Sequence, residues 1–303
     1  MRAHYRGRIA PSPTGLLHLG HARTFWRAYV RAQEADGTLI LRNEDLDPQR
    51  SRAQYAEAML KDLRWLGIRW DEGPDAGGGF GPYEQSRRRD IYLVVWKRLL
   101  EGGFLYPCTC SRRELSRIAQ APHDHPGEQV GPGAGEERGR AESRWEGEEG
   151  PMYPGTCRPA SETEEALREV QSPPGVNWRF RVPDGATIEF EDGHFGRQRF
   201  VAGRDFGDFP VWRRDDVPAY QLAVVADDVA MRITEVVRGA DLLLSTARQI
   251  LIYQALGRRP PLWFHCDLVL DDRGERLAKR HDALSIRALR EQGKRPEEVL
   301  GVV

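Results

Sequence analysis

Apolar residues fall at helical spacing in several stretches of the chain, separated by short continuous or alternating apolar runs. Ile9 closes a strand-like run that opens into the turn Pro11-Ser12-Pro13-Thr14-Gly15. Beyond it, Ala22, Phe25, Trp26, Tyr29 and Val30 share one face of a helix predicted to start near Gly20. Thr38 to Arg42 reads as a short buried strand ending in the acidic group Glu44, Asp45 and Asp47. A second amphipathic helix is predicted over 51–67, with Ser51 as its cap and Gly67 as its stop. Its apolar face carries Tyr55, Met59, Leu63 and Leu66. A third helix over 85–102 carries Ile91, Val95 and Leu99. Strands alternating with helices point to an α/β fold with a parallel sheet.

The pattern changes at Tyr106. Residues 121–150 hold seven glycines, three prolines and almost no large apolar side chain, which reads as a solvated loop. From Trp178 to Val201 short strand-like runs, such as 179–182 and 187–190, alternate with turn residues. The α/β character is expected to resume near Phe209, with a helix over 247–256 ending at Gly257. The apolar run 262–270 would bury Cys266 as a core residue. No internal repeat is evident. The layout predicts a nucleotide-binding domain in two halves, 1–105 and 190–257, interrupted by an insertion over 106–189. A C-terminal segment, 258–303, follows.

Composition narrows the function classes. The chain has 303 residues, enough for a sizeable core. No run of about 18 apolar residues occurs, and Met1 to Gly7 has no apolar signal core. A cytoplasmic protein with no membrane role is expected, and a monomer. Lys and Arg number 45 against 46 Asp and Glu, a net charge of −1, which excludes a globally basic nucleic-acid coat. The segment 121–150 carries eight acids and three arginines, so the remainder is mildly cationic. Four cysteines in such a chain argue against a disulfide scaffold.

Two segments carry phosphate chemistry. His18 and His21, with Gly20 between them, stand where a helix begins. Free N–H groups and the positive end of the helix dipole suit a polyphosphate there, and imidazoles can donate to a leaving pyrophosphate. Gly20 leaves room for a flat base to approach the backbone. A turn with two surface histidines would leave the same trace. The second segment is the cationic run Gly274-Glu275-Arg276-Leu277-Ala278-Lys279-Arg280-His281. The chain has four lysines against 41 arginines, so a compact ammonium at Lys279 suits a point contact with mobile phosphates. An exposed basic turn is the plain alternative.

Together these segments resemble the HIGH and KMSKS signatures of class I aminoacyl-tRNA synthetases. The resemblance sharpens to the glutamyl branch through the segments 8–15, 41–47, 218–228 and 236–243. The resemblance implies a Rossmann-like nucleotide-binding domain with a smaller zinc-containing α+β insertion and a short helical C-terminal segment. It further implies that Arg8 and Arg238 bind substrate carboxyl groups and Glu44 takes the ammonium, with Ile9, Ala10, Pro11, Ser12 and Tyr220 completing a glutamate pocket. His18, Gly20, His21 and Lys279 would serve ATP, with Mg²⁺ carried by the nucleotide. Only 23 residues follow Arg280, too few for an anticodon-binding domain. The chain is thus similar to the truncated paralogs of the branch, the glutamyl-Q tRNA(Asp) synthetases. These activate L-glutamate with ATP, without needing tRNA for that step. They then attach it to queuosine at the wobble position of tRNA(Asp). A truncated glutamyl-tRNA synthetase charging a 3′ end, and a non-catalytic paralog that binds tRNA or glutamate, remain open alternatives. The segment 283–290 resembles the family's C-terminal helix, and Ala278 stands where the KMSKS loop usually has Ser.

Cys108 and Cys110, two apart, with Cys157 beyond a loop, suit tetrahedral zinc. The family pattern, Cys-x-Cys followed by Tyr-x-x-x-Cys, implies Tyr153 as the fourth ligand. Here 42 residues separate Cys110 from Tyr153. They include His123 and His125, which are more ordinary zinc donors, so the fourth ligand stays open between these three.

Overall fold

The computed structural model describes residues 4–111, 114–115, 152–160, 167, 169–173, 175–269 and 285–301. β1 (Arg6–Ile9) pairs in parallel with β2 (Thr38–Leu41), and α1 (Leu19–Glu34) makes the crossover between them. α1 buries Ala22, Phe25, Ala28 and Ala32, a stripe at three- and four-residue spacing. α2 (Ala53–Trp65) follows. Its N-cap is Arg52 rather than Ser51, and the Ser51 hydroxyl is buried without a hydrogen-bond partner, so the expected cap does not form. Gly67, at φ +79°, ends the turn after α2 in a conformation that costs glycine little.

The predicted helix 85–102 divides into a 3-10 turn, Gln85–Arg87, and α3 (Arg89–Glu101). Its buried face carries Tyr92, Trp96, Leu99 and Leu100. Ile91 and Val95 are only partly buried, so the face is rotated by about one residue from the expected one. The bulk of the aromatic residues decides this. Trp96 packs edge-on against Trp178, with ring centroids 5.1 Å apart.

β3 (Leu105–Cys108), β4 (Asn177–Phe180) and β7 (Phe209–Trp212) form an antiparallel sheet in the order β3-β4-β7. The strand at Phe209 therefore belongs to this sheet and not to a resumed parallel layer. β5 (Thr187–Asp192) and β6 (Gly196–Val201) form a hairpin. α4 (Tyr220–Ala230), β8 (Glu235–Gly239), α5 (Leu243–Ala255) and β9 (Leu262–Cys266) follow. The second sheet has the order β6-β5-β9-β8, with β9 parallel to both β5 and β8. β5 crosses the expected boundary at 189/190, and β9, beyond 257, is built into the same sheet. α5 starts four residues earlier than predicted and is stopped at Gly257, φ +63°. Cys266 is half-buried against the second core, less enclosed than expected.

β1 is laced to the start of β8 by Thr234 N donating to Arg6 O at 2.9 Å and Arg6 N donating to Thr234 Oγ1 at 2.8 Å. α6 (Ile286–Glu291), capped by the Ser285 hydroxyl, and α7 (Pro296–Leu300) return the chain to its N-terminal half. Ile286 N donates to Leu17 O at 2.8 Å, and Ile286, Val299 and Leu300 are buried with α1, α2 and β1. A larger core joins α3, α4, α5 and the antiparallel sheet. Among the described residues no helix is long and apolar enough to cross a membrane.

Candidate functional site

The carboxyl ends of β1 and β2, the C-terminal half of α4 and the end of β8 carry the buried charges of the site. Arg8 is 4% exposed. Its Nη1 donates to Val237 O at 3.0 Å, and its buried Nε has no hydrogen-bond partner among the described residues, lying 3.6 Å from Asp228. Arg42, fully buried, donates through Nη1 to Asp228 Oδ1 at 2.7 Å and through Nη2 to Glu44 Oε1 at 3.0 Å. Its acidic neighbours Asp228, Asp227 and Glu44 outweigh burial and hold Arg42 well above its ordinary pKa. Burial pushes the Glu44 carboxyl up, opposed by Arg42 and Arg8. Asp227 is itself held by Arg88 Nε at 2.6 Å, Gln85 Nε2 at 2.7 Å and the Tyr92 hydroxyl at 3.0 Å. Arg42, Asp227 and Asp228 thus lock Glu44 and Arg8 together, and sequence reasoning did not single them out. Their sequence signal is a charged residue within an otherwise apolar run, which buries only when paired.

Residues 9–13 are pinned beside this cluster. Arg42 N donates to Ile9 O at 2.9 Å and Glu44 N to Pro11 O at 3.0 Å. Ile9 and Pro11 are buried, Ala10 is half-buried and Ser12 is exposed.

Arg238, on β8, is 4% exposed. Nε donates to His265 Nε2 at 3.1 Å, Nη1 to Gln249 Oε1 at 2.9 Å and Nη2 to Thr246 Oγ1 at 2.7 Å. Two longer contacts complete the fork, to the Tyr220 hydroxyl at 3.5 Å and to Leu242 O at 3.4 Å. Every one of these partners is neutral, and among the described residues no carboxylate lies within ion-pair distance of this guanidinium. Burial lowers the Arg238 pKa and raises that of Tyr220 beside it. Such a cation is prepared for an incoming carboxylate.

At the start of α1 the rings of His18 and His21 stack with centroids 3.7 Å apart, and His18 is the N-cap. A Cβ on Gly20 would come 3.2 Å from His18 Cε1, so Gly20 leaves that ring its place. Lys279 and the rest of 270–284, including Ala278, lie outside the described residues, as do His123 and His125. The segment that leaves that run does meet the histidines: Ser285 bridges His18 in antiparallel fashion.

Cys108, Cys110 and Cys157 bring their sulfurs within 4.8 Å of one another. The Tyr153 hydroxyl lies 3.5 Å from Cys108 Sγ and 3.9 Å from Cys110 Sγ, and accepts from Cys157 N at 2.7 Å. Three thiols and an oxygen in one cluster match the donor number and spacing of a structural zinc site. The Arg179 guanidinium lies 3.7 Å from the Tyr153 ring centroid and donates to Cys108 Sγ at 3.2 Å, supplying positive charge beside an anion-rich donor set.

Comparison with known proteins gives concordant results. Residues 4–303 match the family described as tRNA synthetases class I (E and Q), catalytic domain. A glutamyl-Q tRNA(Asp) synthetase of Nitratidesulfovibrio vulgaris is 48% identical over 98% of this chain and 84% of its own length. A protein of the same name from Symbiobacterium thermophilum is 48% identical over 97% of the chain and 84% of its own. A glutamate–tRNA ligase of Sulfurihydrogenibium is 42% identical over 95% of the chain but only 55% of its own length. The crystal structure of a glutamate tRNA ligase from Elizabethkingia meningosepticum, in complex with its amino acid, superposes with a TM-score of 0.72 at 31% identity. That match covers 92% of this chain and 52% of that one.

Proposed function

This chain belongs to the family of class I tRNA synthetases (E and Q), and from that premise we propose that it is a glutamyl-Q tRNA(Asp) synthetase. It activates L-glutamate with ATP and Mg²⁺ in the absence of tRNA, then transfers the glutamyl group to queuosine at the wobble position of tRNA(Asp). The observation that carries the glutamate reading is the buried Arg238 fork, whose partners are all neutral.

In this reading Arg238 and Arg8 take the two carboxyl groups of the substrate. Arg8 has a single hydrogen bond to the protein, from Nη1 to Val237 O, among the described residues. Glu44, fixed by Arg42, faces the ammonium, and the Tyr220 hydroxyl yields its long contact with Arg238 to the substrate. Ser12 and the backbone of 9–11 border the pocket. The substrate α-carboxylate attacks the α-phosphorus of ATP, forming the acyl–phosphate bond and breaking the bond to pyrophosphate. His18 and His21 stabilise the charge that develops, and Lys279 neutralises the leaving phosphates. No side-chain nucleophile is needed, because catalysis here is positioning and charge stabilisation. A hydroxyl of the queuosine cyclopentene ring then attacks the adenylate carbonyl, and AMP leaves. Zinc, held by Cys108, Cys110, Tyr153 and Cys157, would stabilise the fold around the antiparallel sheet and supply no chemistry. One chain acts as a monomer in the cytoplasm.

The choice of acceptor is supported by the 48% identity of the two relatives bearing that name, against 42% for the glutamate–tRNA ligase. It is tested by offering labelled glutamate, ATP and Mg²⁺ to two matched tRNA(Asp) samples, one with queuosine and one with guanine at the wobble position. Label on the queuosine sample alone is expected. Equal label on both would assign the chain to 3′-end charging. Absence of glutamate-dependent ATP–pyrophosphate exchange would make it a binding paralog.

A further inference from the structure

We propose that Asp192 and His265 are positioning residues that orient Arg238 for a substrate carboxylate through a neutral imidazole, so that its positive charge stays available. The inference rests on the reading of Arg238 as a carboxylate-binding group. Asp192 ends β5, His265 lies on β9 and Arg238 on β8, three adjacent strands of one sheet. All three side chains are buried.

Asp192 Oδ2 lies 2.6 Å from His265 Nδ1. An ionised carboxylate only accepts, so Nδ1 carries the ring proton. Nε2 then turns its lone pair to Arg238 Nε, 3.1 Å away, a group that always donates. Burial pushes His265 down to about 4, with the Asp192 contact opposing and the Arg238 charge adding to the fall, so the ring stays neutral near pH 7. The carboxylate is fixed in turn. Its Oδ1 accepts from the backbone N–H groups of His194 at 3.0 Å and Phe195 at 2.9 Å. Burial alone would raise the Asp192 pKa, yet these bonds and the His265 contact hold it below its ordinary value.

A carboxylate placed directly on Arg238 would satisfy the same N–H but would neutralise the guanidinium and compete with substrate. One imidazole between them separates the two tasks. The carboxylate fixes the ring and not the cation, so the fork keeps its charge for the ligand. The remaining N–H groups are arranged the same way. Gln249 offers Oε1 to Nη1 because its Nε2 is committed to Gln221 Oε1 at 2.9 Å. Gln221 is in turn committed to Ser245 at 3.0 Å. The long contacts at Tyr220 and Leu242 are the ones a bound carboxylate can replace.

The test uses the full chain and the variants His265→Leu, His265→Gln and Asp192→Asn in glutamate-dependent ATP–pyrophosphate exchange. His265→Leu is expected to raise KM for glutamate at least tenfold and to leave KM for ATP within twofold. His265→Gln, whose side-chain carbonyl can accept from Nε, is expected to recover most of the loss. An unchanged glutamate KM in His265→Leu overturns the proposal. So does a parallel rise of both KM values with the thermal midpoint falling alike in both His265 variants, which is what a merely structural role would give. Nitrogen-15 NMR of the wild-type His265 ring gives a readout that needs no substrate. A protonated Nδ1 and a bare Nε2 are expected, with the assignment disturbed in Asp192→Asn, and a proton on Nε2 in the wild type overturns the relay. If the wild type shows no exchange, the glutamate reading fails, and the ring tautomer still decides whether the relay exists.

Discussion

The charged residues of the site divide by what surrounds them. Glu44 and Arg8 are held by opposite charges, through Arg42 and Asp228, whereas Arg238 is held by neutral acceptors alone. Replacing Arg238 by Met is therefore expected to remove a charge that only the substrate neutralises. Glutamate KM should rise about 10²-fold, equivalent to ~3 kcal/mol for a charge-assisted bond, with ATP KM little changed in pyrophosphate exchange. His265 makes a second prediction at this scale. Its folded pKa, about 4, lies below the ordinary 6.5, so between those values the unfolded chain takes up a proton that the folded chain refuses. Its stabilising contribution is complete above pH 6.5 and is lost as pH falls toward 4. Urea unfolding at pH 7, 6 and 5 should show a falling midpoint, with a shallower fall in His265→Gln. Arg238, Glu44 and Tyr220 were legible as candidates through their motif context. Asp192 and His265 were not, because no spacing links 192, 238 and 265 until three strands align.

Among the elements, α6 returns the chain to its beginning. Arg290 Nη1 lies 3.0 Å from Asp62 Oδ1 on α2, and the Asp62 carboxylate is fully buried. Burial raises its pKa, and Arg290 opposes that rise. Arg290→Met would leave the buried carboxylate with only the lesser opposing charge of Arg287. The variant should lose ~1–3 kcal/mol at pH 7 in urea unfolding. The loss should shrink in acid, where the protonated carboxyl no longer needs a counter-charge. The cap of the same helix, Ser285, bridges His18, so the element anchored on α2 also meets the start of α1. Patterning identified α1 and β2 well, because each buries a stripe or continuous run, but it missed the first turn of α5, where Ser245 and Thr246 are buried. It misplaced the buried face of α3, where Trp96 is drawn to Trp178 and Trp212 from distant strands. It also misread the cap of α2, because an N-cap serine works only if its hydroxyl faces the first turn.

At the level of the whole molecule two cores are joined by the strands that hold the site. The larger covers α3, α4, α5 and the antiparallel sheet, and the other covers α1, α2, β1 and the C-terminal helices. The cysteine cluster forms a small third cluster at the edge, with Tyr106, Cys108 and Tyr153 buried in it. A metal there would tie the segments 105–110 and 152–160, whose ends are far apart in sequence. Removing it with a strong chelator, or by Cys157→Ser, is expected to lower the thermal midpoint by on the order of 5 °C. Glutamate-dependent pyrophosphate exchange should persist at the lower temperature, since none of the four donors touches the glutamate cluster. Metal content measured before and after chelation checks the same point.

The linear sequence by itself determined what local rules and short motifs can carry. These are the α/β alternation, the two histidines at a helix start, the Cys-x-Cys pair with its distant third thiol, and the segments around Arg8, Glu44, Tyr220 and Arg238. Each depends on residues within one turn, one strand or one motif. Only the tertiary structure decided which charges neutralise one another. That Asp228 serves Arg8 and Arg42, and that Asp192 reaches Arg238 only through His265, depends on strand order and register. Hydrogen bonds need contact at about 3 Å, and Coulomb energy falls as 1/r and is screened by salt over ~10 Å. Partners from opposite ends of a chain therefore acquire their function only when the sheet brings them to contact.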